Sequence, residues 1–142
     1  MNKDLYLFLF LNIFVIIIYI FDITSTTTSK CINNSSNKYK IISILLLHHY
    51  LQLFSNFGWL FNNKYILIYY IFIPFITILH WYTNNNKCIL TQIINKLCNN
   101  NEDVYFNDIF NMIGLKKYNI WNDYLHYIYL LFVIFYTIYK LI

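Results

Sequence analysis

The 142 residues are enough for about one domain, but their composition is far from that of a water-soluble one. Hydrophobic residues make up 59% of the chain and aromatic residues 22%, and only 11% are charged, whereas soluble domains carry about 25% charged residues. A soluble globule of this size has too much surface for its volume to bury so many apolar side chains. The net charge of +4 is too sparse for a nucleic-acid-binding surface. The composition therefore indicates an integral membrane protein whose main contact is the lipid bilayer.

Four apolar stretches are long enough to cross a bilayer. A spanning helix needs about 20 mostly apolar residues, and this requirement is met by residues 5–21, 41–61, 65–81 and 121–142. The first stretch is longer than a signal-peptide core of roughly 7–15 residues, so we expect the chain to retain it as a span. The sequence therefore predicts an all-α fold, a four-helix transmembrane bundle in which residues 1–142 form a single integral membrane domain.

The second predicted span is the least apolar of the four. Its polar side chains are those of His48, His49, Gln52, Ser55 and Asn56. Only residues 62–64 separate it from the third predicted span. A connection this short predicts that the second and third spans form a tight antiparallel hairpin.

Four spans place both chain ends on one side of the membrane. The two long connections, residues 22–40 and 82–120, then lie on the other side, which we call side A. Side A carries seven of the ten lysines, and the positive-inside rule would put such a side in the cytoplasm. Two overlapping glycosylation acceptor patterns in residues 33–36 favour the opposite orientation. All three cysteines lie on side A, and any two of them could form a disulfide in an oxidising compartment.

The two side-A connections differ in their patterns. Residues 24–40 are rich in Ser, Thr and Asn, and this predicts a flexible polar linker. Residues 82–120 predict an interfacial segment with two short amphipathic helices. The first covers residues 89–98, and the second begins near Glu102 and ends at Gly114.

Polar side chains recur along the predicted spans at helical spacing. One row in the second span contains His48, Gln52, Ser55 and Trp59, and one in the third contains Tyr70, Pro74, Thr77 and Trp81. We expect these rows to face each other, because polar groups inside a bilayer face the interior of a bundle. Hydrogen bonding between helices is their simplest role. The alternative is the lining of a transport path, which a chain this short would form only as an oligomer.

Three histidines are the candidate cofactor-binding residues. His48, His49 and His126 lie inside predicted spans, and imidazoles on facing helices can hold a haem. The sequence contains no CxxC or HxxxH spacing, so no metal site is assigned. With two glycines in the chain there is no Gly-rich phosphate loop, and the serines lie in the linker or inside a span. No catalytic residue is therefore expected.

A short pattern follows the third predicted span. His80-Trp81 ends the span, and Cys88-Ile89-Leu90-Thr91 follows after six residues. This pattern resembles a group of uncharacterised small multi-pass membrane proteins of large DNA viruses and A/T-rich protists. The resemblance implies a polytopic membrane protein of no known activity. The 26 Ile and 19 Asn residues, with neither Ala nor Arg, are typical of a strongly A/T-biased genome.

A second resemblance lies at the start of the fourth predicted span. Asp123-Tyr124-Leu125-His126 resembles the Asp-Tyr-x-His of the small membrane anchor of succinate dehydrogenase. It implies that the Tyr helps to bind quinone and that a His on the preceding helix holds haem. The function we expect first is that of a membrane protein without a catalytic site, structural or binding a membrane-protein partner or a second copy of itself. The alternative is an anchor subunit of an organelle respiratory complex that binds quinone or haem.

Overall fold

The chain is helical throughout the ranges that the computed structural model describes, residues 3–99 and 119–142, with side chains from 124 onward in the second range. The helices are α1 (Lys3–Thr24), α2 (Thr26–Asn34), α3 (Lys38–Phe57), a 3-10 turn (Gly58–Leu60), α4 (Lys64–Tyr70), α5 (Phe72–Thr83), α6 (Ile89–Leu97) and α7 (Asn119–Leu141). No strand occurs in these two ranges. The predicted all-α class is confirmed.

Three helical stretches in the described ranges are long and apolar enough to cross a membrane. They are Lys3–Thr24, Lys64–Thr83 and Tyr124–Leu141, with mean hydropathies of 2.5, 1.6 and 1.3. They match the first, third and fourth predicted spans. The helix over the second predicted span, α3, has 20 residues but is not among them, because its polar side chains lower its hydropathy.

The polar helix α3 lies at the centre of the fold. It contacts α1, α2, α5, α6 and α7. Its buried positions Ile41, Leu45, His49 and Leu53 recur every four residues and form one continuous stripe. A helix packed on several sides by other helices meets the surrounding medium with few of its side chains. The position of α3 therefore accounts for its low hydropathy.

The third predicted span is broken into two helices. Residues 65–81 were predicted as one helix, but α4 ends at Tyr70 and α5 begins at Phe72. Pro74 has no N–H to donate to the carbonyl of Tyr70, four residues earlier, so one helical hydrogen bond is missing at this point.

Tyr70 fills the space opposite Gly58, where a Cβ would lie 2.6 Å from Cε2 of the ring. Only glycine therefore fits where α3 passes into the hairpin turn.

The hairpin between α3 and α4 is held by hydrogen bonds. The hydroxyl of Tyr70 donates to the carbonyl of Ser55 at 2.7 Å. At the turn, the backbone N–H groups of Asn62 and Asn63 each donate to the carboxylate of Asp4 at 2.9 Å. The predicted pairing of these two helices is therefore present, and the N-terminus of α1 is attached to its turn.

The prediction of a flexible linker over residues 24–40 is wrong, because this segment contains the nine-residue helix α2. Its N-cap is Ser25, whose side chain accepts the backbone N–H of Thr28. On its inner face Cys31 and Ile32 are buried against α3 and α6. Ser and Thr composition suggested a linker, but a cap and one apolar turn are enough for a short helix that docks on its neighbours.

A disulfide joins α2 to the end of α6. It pairs Cys31 with Cys98, whose Cα atoms are 5.2 Å apart. The hydroxyl of Ser35 adds a hydrogen bond to the carbonyl of Leu97 at 3.3 Å. The predicted helix over residues 89–98 is present as α6. The second predicted amphipathic helix, from Glu102 to Gly114, lies outside the described residues.

Candidate functional site

A buried carboxylate joins three helices near the C-terminal end of α1. Asp22 occupies the last position of a stripe of buried residues on α1 formed by Leu11, Val15, Ile18 and Asp22 itself. Its Oδ2 lies 3.0 Å from Nε2 of His49, and its Oδ1 accepts the hydroxyl of Thr28 at 3.0 Å. Asp22 is 0% and His49 1% exposed. The carboxylate therefore connects α1, α2 and α3 through both of its oxygens.

The second nitrogen of His49 is unusual in this setting. Nδ1 is buried and has no hydrogen-bond partner among the described residues. The rings of Tyr19 and His48 lie edge-on to the His49 ring, with centroids 6.5 and 5.6 Å away. A buried polar atom without a partner costs free energy. Nδ1 of His49 can therefore still form one favourable hydrogen bond.

A thiol and an imidazole meet at His48, the residue before His49. Sγ of Cys88 lies 3.5 Å from Nδ1 of His48. Cys88 is outside the apolar stretches, at the N-cap of α6, and is the free cysteine of the chain. Burial raises the pKa of the thiol, but the hydrogen bond and charge of His48 and the backbone N–H groups of Thr91 and Leu90 outweigh it and lower the pKa from 9.0 to about 7. Cys88 is thus thiolate in part at neutral pH.

The His48 contact makes the reactivity of Cys88 testable. The rate of alkylation by N-ethylmaleimide should rise with pH around a midpoint near 7, since the thiolate is the nucleophile. In His48→Ala the hydrogen bond and charge of His48 are lost, so the midpoint should move up from about 7 toward the ordinary thiol value of 9.0. Labelling rates measured across pH by mass spectrometry give both values. Thr83→Ala, an exposed change at the end of α5, is the control and should leave the midpoint in place.

Equal midpoints in the parent protein and His48→Ala would show that His48 does not stabilise the thiolate. A midpoint near that of an ordinary cysteine in the parent protein would have the same meaning.

The signature residues meet at the corner between α5 and α6. Nε2 of His80 accepts the backbone N–H of Ile89 at 3.1 Å and so ties the end of α5 to the start of α6. Leu90 and Thr91 form the first turn of α6 next to Cys88. Trp81 turns the other way, with its ring 4.9 Å from that of His126 on α7. The residues of the pattern therefore form contacts at one corner of the fold. The resemblance drawn from the pattern stays a prediction.

Hydrogen bonds join residues 55–59 to α4 and α7. The hydroxyl of Tyr70 donates to the backbone carbonyl of Ser55 across the hairpin. From α7, the hydroxyl of Tyr129 donates to the carbonyl of Asn56 at 2.5 Å and accepts the indole N–H of Trp59 at 3.1 Å.

The two predicted polar rows meet in part. Tyr70 and Ser55 contact each other, whereas the hydroxyl of Thr77 bonds the carbonyl of Ile73 on its own helix.

The three histidines predicted to bind a cofactor have separate partners. His49 contacts Asp22, His48 contacts Cys88, and His126 packs against Trp81. Within the described parts of the chain, no group of three His, Cys, Asp or Glu side chains could hold a metal ion. The haem and quinone hypothesis stays a prediction, and the side chain of Asp123, which opened its motif, lies outside those described.

Sequence reasoning missed a fully buried carboxylate, that of Asp22. Asp22 was counted as the first residue of a side-A connection, and Thr28 as part of the linker. The register of α1 contains the signal, because Asp22 lies four, seven and eleven residues after Ile18, Val15 and Leu11. An acid in this register points into the bundle.

The chain matches no protein-family model, and neither a curated protein nor a solved structure is significantly similar to it.

Proposed function

We propose that the chain is a multi-pass integral membrane protein with four spans and a structural or partner-binding role. The spans are α1, α3, α4 with α5, and α7, and the short helices α2 and α6 lie on side A. The observation that carries this proposal is the disulfide between Cys31 and Cys98.

The disulfide limits the number of crossings between its two cysteines. Covalently joined sulfurs lie on the same side of a membrane, so the chain crosses an even number of times between them. The stretch Lys64–Thr83 is long and apolar enough to make one crossing. Every residue from Cys31 to Cys98 is described, and α3 is the remaining helix of spanning length in this part. Its 20 residues give a length of about 30 Å, which matches the hydrocarbon core of a bilayer.

The distribution of polarity supports the same proposal. Large apolar side chains more than half exposed cover the outside of the three apolar helices: Phe8, Phe10, Ile13, Phe72, Phe75, Ile76, Ile128, Phe132 and Phe135. Polar side chains are buried at the centre, among them Asp22, His49 and Asn56. Soluble proteins rarely expose apolar patches of this extent, whereas in a bilayer the outside of a bundle faces lipid and its polar groups face inward.

The disulfide also bears on orientation. Disulfides form and persist in oxidising compartments, so we propose that side A faces one. The excess of lysines on side A favours the cytoplasm, but side A also contains most of the residues outside the spans, which inflates its lysine count. The acceptor patterns in residues 33–36 agree with an oxidising, non-cytoplasmic side A.

Thiol labelling from each side of the membrane tests the four-span topology. We expect Cys88 to react with a membrane-impermeant maleimide from side A. Lys64→Cys in a Cys88→Ser background should react from the opposite side, because one span separates the two positions. The exposed side chain of Lys64 makes this substitution mild. Sealed vesicles labelled before and after permeabilisation give the side for each thiol.

A matched variant at the chain end is the control for sidedness. Ile142 is 99% exposed, and Ile142→Cys in the same background should label from the same side as Lys64→Cys. Labelling of Lys64→Cys and Cys88 from one common side would contradict a crossing by Lys64–Thr83 and, with it, the four-span topology.

A further inference from the structure

We propose that an open cavity between α2, α3 and α6 binds the phosphate headgroup of an anionic lipid. We call it the lysine cavity, because Lys30, Lys40 and Lys96 line it. Its volume of about 1040 Å³ is at the upper end of the range for small-ligand sites. The inference names a partner beyond the proposed structural role, and it rests on the proposed insertion of the chain in a membrane.

The three lysines of the cavity come from three different helices. Lys30 lies in α2, Lys40 in the first turn of α3 and Lys96 in the last turn of α6. All three side chains are exposed, and none of them forms an ion pair within the part of the chain that the structure describes. Like charges around one cavity repel one another. An anion bound between them would replace this repulsion with attraction.

The carboxylates whose side chains are described do not compensate these charges. Asp4 bonds the turn between α3 and α4, at the other end of α3, and Asp22 is 0% exposed. Neither lines the cavity. Hydroxyl and amide groups add to the polar lining, among them those of Thr27, Ser36 and Asn37. A ring of ammonium, hydroxyl and amide donors suits an anion with several acceptor oxygens, and a phosphate is such an anion.

The lining changes from polar to apolar along α3. Asn37 and Lys40 stand at the start of this helix, and Ile44 lies one turn further in. The rise from Asn37 to Ile44 is about 10 Å, which exceeds the thickness of about 5–8 Å that the headgroup layer has on each side of a bilayer. On α6, Ile93 and Leu97 add apolar surface to the same cavity. A lipid presents a phosphate and acyl chains together, so this lining favours a lipid over a soluble phosphate.

The disulfide holds two walls of the lysine cavity together. Cys31 and Cys98 both line the cavity, and their bond joins α2 to the end of α6. Lys30 directly precedes Cys31, and Lys96 stands two residues before Cys98. The disulfide therefore keeps these two lysines on adjoining walls. A site whose walls are fixed before binding loses less conformational freedom when its ligand binds.

Lipid binding to the full chain in dodecyl maltoside micelles tests this proposal. Native mass spectrometry gives the Kd of the first bound lipid, with dioleoyl-phosphatidylglycerol as the anionic probe and dioleoyl-phosphatidylcholine as the zwitterionic one. We expect phosphatidylglycerol to bind more tightly by about tenfold or more. Lys30→Gln, Lys40→Gln and Lys96→Gln should each weaken its binding about fivefold, and the triple variant about a hundredfold. Equal Kd values for the triple variant and the parent protein would overturn the proposal.

Lys38→Gln is the matched control. Lys38 is an exposed lysine in the same turn of α3 as Lys40, and it lies outside the described lining of the cavity. Its replacement removes the same charge from the same helix, so the Kd for phosphatidylglycerol should be retained. A loss equal to that of Lys40→Gln would show that the lipid responds to the net charge of the chain, and this would also overturn the proposal. Circular dichroism and an intact Cys31–Cys98 disulfide establish that each variant is folded.

Glycerol 3-phosphate separates a lipid from a soluble phosphate, because it carries a phosphate without acyl chains. At the same concentration as phosphatidylglycerol, it should leave the binding of the lipid unchanged. Displacement of the lipid would assign the cavity to a soluble phosphate and overturn the lipid as its occupant.

Extraction of reconstituted vesicles with alkaline carbonate separates this inference from the proposed function. Protein that is removed by carbonate would contradict membrane insertion and with it the proposed function. Inserted protein that binds phosphatidylglycerol and phosphatidylcholine with equal Kd values would overturn the lipid site alone.

Discussion

Removal of the Cys31–Cys98 disulfide is expected to lower the free energy of unfolding by about 4 kcal/mol. The two cysteines are 67 residues apart, and loop closure for a flexible chain of this length gives about 4 kcal/mol. Spans that stay helical in the unfolded, micelle-bound chain shorten its flexible part, so the loss lies at or below this figure. The disulfide also joins α2 to α6, both of which contact α3, and its loss should release both short helices together.

Unfolding of the Cys31→Ser, Cys98→Ser double variant in mixed detergent micelles measures this loss, with helicity as the signal. Cys88→Ser is the control, because it removes a cysteine and leaves the disulfide in place. Equal unfolding free energies for the double variant and the control would show that packing alone holds α2 on α6.

The apolar helices could be predicted because their signal is local. A continuous apolar run defines α1 and α7, and apolar residues at helical spacing, with polar residues on the opposite face, define α6. The break at Ile71 was open to prediction from Pro74, since proline removes a helical hydrogen bond wherever it stands. None of these features depends on a distant part of the chain.

The features that sequence reasoning missed depend on distant contacts. The composition of α2 alone favours a linker. The helix is stabilised by packing against α3 and α6. The polar residues of α3 made it the least certain of the predicted spans. They are compatible with a helix because other helices cover α3 at the centre of the fold.

The sequence singled out His48 and His49 as candidate residues, but it did not indicate which residues contact them. His48 and His49 were singled out as polar groups inside the second predicted span. Their partners lie 40 and 27 residues away in the sequence, at Cys88 and Asp22. Periodicity within one helix cannot show which residue of another helix lies opposite.

Asp22→Ala is expected to destabilise the fold by about 2–5 kcal/mol, because it leaves two buried polar groups without their acceptor at about 1–3 kcal/mol each. The change leaves Nε2 of His49 and the hydroxyl of Thr28 without their acceptor in a core from which water is excluded. Asp22→Asn keeps an oxygen that can accept one of these hydrogen bonds, so its loss should be smaller. Unfolding in mixed micelles gives both values.

A double-mutant cycle separates the pair from its surroundings. If the cost of losing Asp22 arises from stranding His49, then the double variant Asp22→Leu, His49→Leu should recover most of the stability that Asp22→Leu alone loses, because a buried pair can often be replaced by apolar residues of similar size at little cost. Equal losses in the single and double variants would show that Asp22 acts through Thr28 and α2. The recovered double variant would then be the sharpest evidence that this pair is kept for something other than stability, since apolar residues would hold the three helices as well.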